Sequence, residues 1–81
     1  MLETAENRLK RLKMRSWRRG TKEMDLILGP FSDTALAGLP APLLDVYEQF
    51  LEENDQDLYQ WVSGQLAAPE VYHGLLGLLG R

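Results

Sequence analysis

Eighty-one residues with no cysteine, 44% of them hydrophobic, exclude a disulfide-stapled scaffold and a thiolate zinc site, and leave apolar burial to hold one small domain together. No apolar run approaches the roughly 18 residues that span a bilayer, and Met1-Leu2-Glu3-Thr4-Ala5-Glu6 is not a charged segment leading into an apolar one, so a soluble, cytoplasmic chain is expected. The net charge of −3 hides a division: eight of nine basic residues lie between Arg8 and Lys22, and ten of twelve acidic residues lie from Glu23 onward.

Residues 3 to about 18 read as a helix, because Leu2, Ala5, Leu9 and Leu12 recur at steps of three and four. Arg8, Arg11, Arg15, Arg18 and Lys22 follow the same spacing on an adjoining arc. Two readings of that basic ridge stand open: acidic residues of the fold neutralise it, or it is a surface kept for a partner. Trp17 lies off the apolar stripe by roughly a right angle at 3.6 residues per turn, so it packs in the core or at the helix end, or stays partly exposed. Gly20 suits the stop of this helix, and Thr21 suits the N-cap of a second, whose apolar face is Met24, Ile27, Leu28, Phe31 and Ala35. Glu23 and Asp25 in its first turn suit the helix dipole. Pro30 should kink this helix rather than break it, since the apolar spacing continues beyond it. Leu26 points away from the stripe, toward a second buried side or an exposed apolar spot.

Gly38-Leu39-Pro40-Ala41-Pro42 reads as a turn, with Pro42 in the first turn of a third helix that buries Leu43, Tyr47 and Phe50, with Leu44 and Leu51 beside them. Asp55 is expected to cap a short fourth helix to about Ser63, with Leu58, Trp61 and Val62 inward and Gly64 as its stop. A fifth is expected from Pro69, carrying Val71, Leu75, Leu78 and Leu79, weakened and frayed toward its end over residues 67–81 by Gly74, Gly77 and Gly80. No stretch alternates over strand length, so the expected fold is all-α, a small bundle of four or five short helices in a single domain.

Chemistry has little to work with. His73 is the only histidine and suits helix packing or the surface; the serines lack a nucleophile-elbow context, and the glycines follow no strand. Asp55 and Asp57 are better explained as a cap and a first-turn acid than as an acid–base pair. No catalytic, metal or cofactor-binding residues are expected. Nucleic acid is disfavoured because the rest of the chain beyond that helix is acidic, and membrane-surface attachment because the apolar stripe is the narrow kind used in a core; the lack of a long apolar run speaks against membrane insertion.

Arg19-Gly20-x-x-Glu23, followed by Asp25 and Leu26-Ile27-Leu28-Gly29-Pro30-Phe31, resembles the signature of the succinate dehydrogenase assembly factor 2 family, the bacterial and mitochondrial flavinylation factors. Asp55-x-Asp57-Leu58-Tyr59-x-Trp61 resembles that family's second recognisable segment. The resemblance implies a helical protein, monomeric when free, that binds the flavoprotein subunit of succinate dehydrogenase, and of fumarate reductase in some members. It implies that the protein promotes covalent attachment of FAD to that subunit without holding the cofactor tightly itself. Arg19, Gly20 and Glu23 inherit the family's contact role, with Asp25 less directly, and Arg18 and Trp17 adjoin them. A second possibility is that Arg19 and Glu23, four apart, pair only with each other. An antitoxin-like protein neutralising a membrane-associated toxin is the alternative function.

Overall fold

The computed structural model describes residues 3–79. Five α-helices and two 3₁₀ turns follow one another, with no strand among the described residues: α1 (Ala5–Ser16), α2 (Lys22–Thr34), a turn at Leu36–Gly38, α3 (Ala41–Phe50), α4 (Asp55–Val62), a turn at Glu70–Tyr72 and α5 (His73–Leu79). The all-α bundle expected from the periodicity is the observed fold.

Its core is formed by Leu12, Met24, Leu28, Leu36, Tyr47, Phe50, Leu51, Leu58, Tyr72 and Leu75, each at most 2% exposed. Phe50, Trp61 and Tyr72 form an aromatic cluster, with ring centroids of Phe50 and Tyr72 5.0 Å apart edge to face and those of Trp61 and Tyr72 5.6 Å apart. Among the described residues, the one fully buried polar contact between side chains far apart in sequence joins Ser16 to Tyr47, and burial pushes the Tyr47 phenol up to about 12 although the bond to Ser16 opposes it. Ala5 is exposed, and Leu2 falls outside the described residues, so Leu9 and Leu12 carry the inner stripe of α1.

α1 ends earlier than its sequence suggests: Trp17 is the C-cap, and Arg18, Arg19 and Gly20 form a connection rather than a last turn. Thr21 caps α2 as expected, its hydroxyl accepting from the Met24 amide. α2 runs through Pro30 without a break, because Met24 and Leu28 before the proline and Phe31 after it are held by the same core. Ser32 and Thr34 donate their hydroxyls back to the carbonyls of Gly29 and Pro30, at 2.7 and 2.9 Å. Leu26, 58% exposed, is the exposed apolar spot rather than a second buried side.

Gly29 has a reason to be glycine in a helix interior. A Cβ there would lie 2.4 to 2.6 Å from the indole ring of Trp17, which rests on the bare backbone and is 40% exposed, its Nε1 donating to Asp33 at 3.3 Å. Trp17 therefore packs at the helix end and not in the core. Gly29→Ala should displace the indole, seen as a red-shifted Trp emission, and destabilise by about 1 to 3 kcal/mol, the usual cost of overpacking, in a denaturant titration.

Two further expectations change. Asn54, not Asp55, caps α4, its side chain accepting from the Asp57 amide at 2.9 Å, which frees the Asp55 carboxylate. At the C-terminal end Tyr72 and Leu75 are buried, whereas Val71 and Leu78 are 49% and 51% exposed. The reason is the 3₁₀ turn at Glu70–Tyr72, whose three-residue repeat brings Tyr72 onto the face of Leu75 where an α-helical repeat would have brought Val71. Gly64 terminates α4 with a φ of +83°. Gly80, the last of the weakening glycines, lies outside the described residues.

The basic ridge faces an acidic one of the same pitch. Arg8, Arg11 and Arg15 step by three and four, as do Asp45, Glu48 and Glu52. Arg8 bridges Asp45 (2.7 Å) and Glu48 (2.9 Å), Arg11 bridges Glu48 (2.8 Å) and Glu3 (2.8 Å), and Arg15 reaches Glu52 (2.6 Å). Most of the ridge is thus neutralised within the fold. Burial would push the Glu48 carboxyl up, but the hydrogen bonds from Arg11 and Arg8 outweigh it and hold it below its ordinary value; the hydrogen bond from Arg11 does the same for Glu3. A carboxylate whose pKa is depressed on folding stabilises fully above its unfolded value and less as pH falls through the folded one. Stability should therefore decline on acidification below the ordinary carboxylate range. Glu48→Gln should remove part of that decline, at a cost near pH 7 of at most ~1 kcal/mol that fades in high salt.

Candidate functional site

The residues singled out in the sequence, Trp17, Arg18, Arg19, Gly20, Glu23 and Asp25, lie on the α1–α2 connection and the first turn of α2. They do not all point the same way. Arg19 turns inward, with its side chain 10% exposed. Its Nε donates to Asp55 Oδ1 at 2.8 Å, Nη1 to the Leu51 carbonyl at 2.6 Å and Nη2 to the Glu53 carbonyl at 2.8 Å. These acceptors follow from the helix ends. Leu51 is the C-cap of α3 and Glu53 lies in the α3–α4 connection, so a guanidinium there satisfies carbonyls just beyond the helix while complementing the negative end of its dipole. Arg15 Nη2 adds a second donor to Leu51 at 3.2 Å. Asp55 sits at the first residue of α4, where its charge is also favoured.

Asp25 closes the connection from the other side, accepting from the Arg19 backbone amide at 2.7 Å. Gly20 lies between these two ties with a φ of +106°, and a Cβ on it would stand 3.3 Å from Asp55 Oδ2. A side chain there would be strained by the backbone and pressed against the ion pair. Arg19 and Glu23 do not pair: Arg19 takes Asp55, and Glu23 has no salt bridge among the described residues. Arg18 likewise pairs with no carboxylate among the described residues, and both are exposed.

Two clefts flank the Arg19–Asp55 pair. One, of about 310 Å³, is lined by Thr21, Glu23, Asp55, Gln56 and Tyr59, with Tyr59 40% exposed. The other, of about 280 Å³, is lined by Met14, Arg15, Arg18 and Arg19. The charge boundary in the sequence thus becomes a boundary in space, acidic on one side of the connection and basic on the other. The first cleft presents the carboxylates of Glu23 and Asp55, and in the second Arg15 and Arg19 already hold internal acceptors. Elsewhere, His73 Nε2 donates to the Ala68 carbonyl at 2.9 Å. No group of three His, Asp or Glu side chains among the described residues is placed to hold a metal ion.

Sequence reasoning placed Asp55 and Tyr59 in a recognisable segment but not beside Arg19 and Glu23, and it missed Gln56 altogether. Nothing local signals that α4 begins against the α1–α2 connection. The carbonyls of Leu51 and Glu53 carry no sequence signal at all.

Fold and connection together define a small all-helical protein whose first interhelical turn is tied to the α3–α4 connection by an inward-facing arginine. The family model described as the flavinator of succinate dehydrogenase matches residues 10–79, and the chain belongs to that family. Similar proteins include the "Succinate dehydrogenase assembly factor 2, mitochondrial" of Schizosaccharomyces pombe, 43% identical over 68 residues that cover 84% of this chain and 49% of that protein. Those of Meyerozyma guilliermondii (41% over 61 residues, 75% and 45% covered) and Aspergillus terreus (43% over 60 residues, 74% and 20% covered) carry the same name. The chain therefore spans half or less of the length of these relatives. No solved structure matches it. The relatives are named mitochondrial, whereas the sequence alone suggested the cytoplasm; no helix among the described residues is long and apolar enough to cross a membrane.

Proposed function

We propose that this chain is an assembly factor for succinate dehydrogenase. It binds the flavoprotein subunit and promotes covalent attachment of FAD to a histidine of that subunit, with no turnover of its own. The observation that carries this is the family match over residues 10–79, which includes the whole Arg19-Gly20-x-x-Glu23 connection. The geometry supports it by where charge is left over. The fold neutralises Arg8, Arg11 and Arg15 but leaves Arg18 and Glu23 exposed on either side of the Arg19–Asp55 pair.

The six residues then divide by role. Trp17, Arg18, Gly20 and Glu23 present the contact surface, and Arg19 and Asp25 act as positioning residues that fix the shape of the turn from within. A helper of this kind works by holding the partner's reacting groups in register, which can supply a large part of a barrier without any chemistry of its own. Isolation of the tagged chain from cells tests the partner: a large flavoprotein in stoichiometric amount is expected, together with a free chain that sediments as a monomer. Recovery of a small membrane protein in its place would overturn the reading and favour an antitoxin-like role.

A further inference from the structure

The acidic cleft beside Gly20 has a composition that selects its occupant. Glu23 lines it with a carboxylate that has no salt bridge among the described residues. Asp55 lines it too; its Oδ1 is taken by Arg19, while Oδ2 faces the bare Gly20. Tyr59 adds an exposed ring, and Gln56 an amide that can accept. We propose that this cleft is the socket for one arginine side chain of the flavoprotein, its guanidinium held by Glu23 and Asp55 Oδ2 and its plane against the Tyr59 ring. This rests on the assembly-factor reading and names the chemistry of the group that the site receives.

Arginine fits better than lysine on geometry. A planar fork donates to two carboxylates at once and stacks on an aromatic face, whereas an ammonium offers a compact charge with no plane to stack. The Glu23 carboxylate, unpaired among the described residues and beside the Asp55 oxygen that Arg19 does not engage, gives the cleft the sign a cation requires. The Gly20 backbone leaves the approach open, since a side chain there would press on the Asp55 oxygen that the socket uses.

A titration of the isotope-labelled chain with N-acetyl-arginine amide, followed by amide chemical shifts, tests this without the flavoprotein. Shifts are expected at Thr21, Glu23, Gln56 and Tyr59, several-fold larger than those at Glu70, an exposed acid elsewhere. They should vanish with the uncharged citrulline analogue, weaken with the lysine analogue and be lost in Glu23→Gln. Shifts no larger than at Glu70, equal shifts with citrulline, or shifts that survive Glu23→Gln overturn the socket. In the complex, Glu23→Gln should weaken association with the apo flavoprotein by roughly tenfold to a hundredfold and reduce its salt dependence, with Tyr59→Ala weakening it less. A Glu23→Gln chain that associates as tightly as the parent also overturns the socket. Failure of the parent itself to associate would instead overturn the assembly-factor reading.

Discussion

Replacing Arg19 with alanine should be the most destabilising single change at the turn, at about 3 kcal/mol, because it leaves a mostly buried carboxylate and the Glu53 carbonyl without their donor and the Leu51 carbonyl with only the longer bond from Arg15. Arg19 is 10% exposed and Asp55 16%, so water can compensate little of what is lost. For a domain of this size each kcal/mol shifts the melting temperature by about 4 to 8 °C, so thermal unfolding should begin roughly 12 to 24 °C lower. Arg19→Lys should recover only part of this, since an ammonium cannot present three separate donors in one plane to Asp55, Leu51 and Glu53. In a double-mutant cycle with Asp55→Ala, the two losses should fall well short of additive. Additive losses would mean that the pair is not the unit holding α1 to the α3–α4 connection.

Gly20 should show the second large effect, and its cause can be divided. At a φ of +106°, an L side chain adds a backbone cost of about 1 to 2 kcal/mol, and its Cβ presses on Asp55 Oδ2. Gly20→Ala should therefore destabilise by that amount, and Gly20→Arg by more, since a longer side chain at that strained position crowds the Arg19–Asp55 pair further. D-alanine at position 20, introduced by chemical synthesis of the chain, adopts positive φ without strain. If its stability in a denaturant titration matches that of the parent while association with the flavoprotein is lost, the glycine serves the partner's approach. If both are retained, it serves the turn alone.

The parts of this structure that were legible in the sequence are those whose causes are local. Apolar spacing located the helices, Thr21 and Gly64 marked boundaries by capping chemistry, and the continued stripe through Phe31 showed that Pro30 would not break α2. What escaped was set by contacts between distant residues. Asn54 and Asp55 are both capping residues, and only the position of Arg19 decides which of them caps α4 and which makes the ion pair. The same holds for Trp17, whose place on Gly29 depends on how α1 meets α2. The basic ridge and the acids at Asp45, Glu48 and Glu52 are each visible as periodic sets, but their pairing requires the helices to lie alongside with matching phase. At the candidate site the sequence placed a connection between two helices at Arg19-Gly20, where the structure has one. It could not say that Arg19 faces inward, because its principal acceptors are two backbone carbonyls and a carboxylate more than thirty residues away.

The most direct test of the central claim is the amount of covalently bound flavin on the denatured flavoprotein subunit, after the apo subunit, FAD and a dicarboxylate are incubated with and without this chain. The proposed role predicts a marked increase with the parent chain, a much smaller one with folded Glu23→Gln, and parental behaviour with a distant surface variant such as Glu70→Gln. Covalent flavin that does not rise with the parent chain would contradict the function, and an undiminished rise with Glu23→Gln would contradict the site.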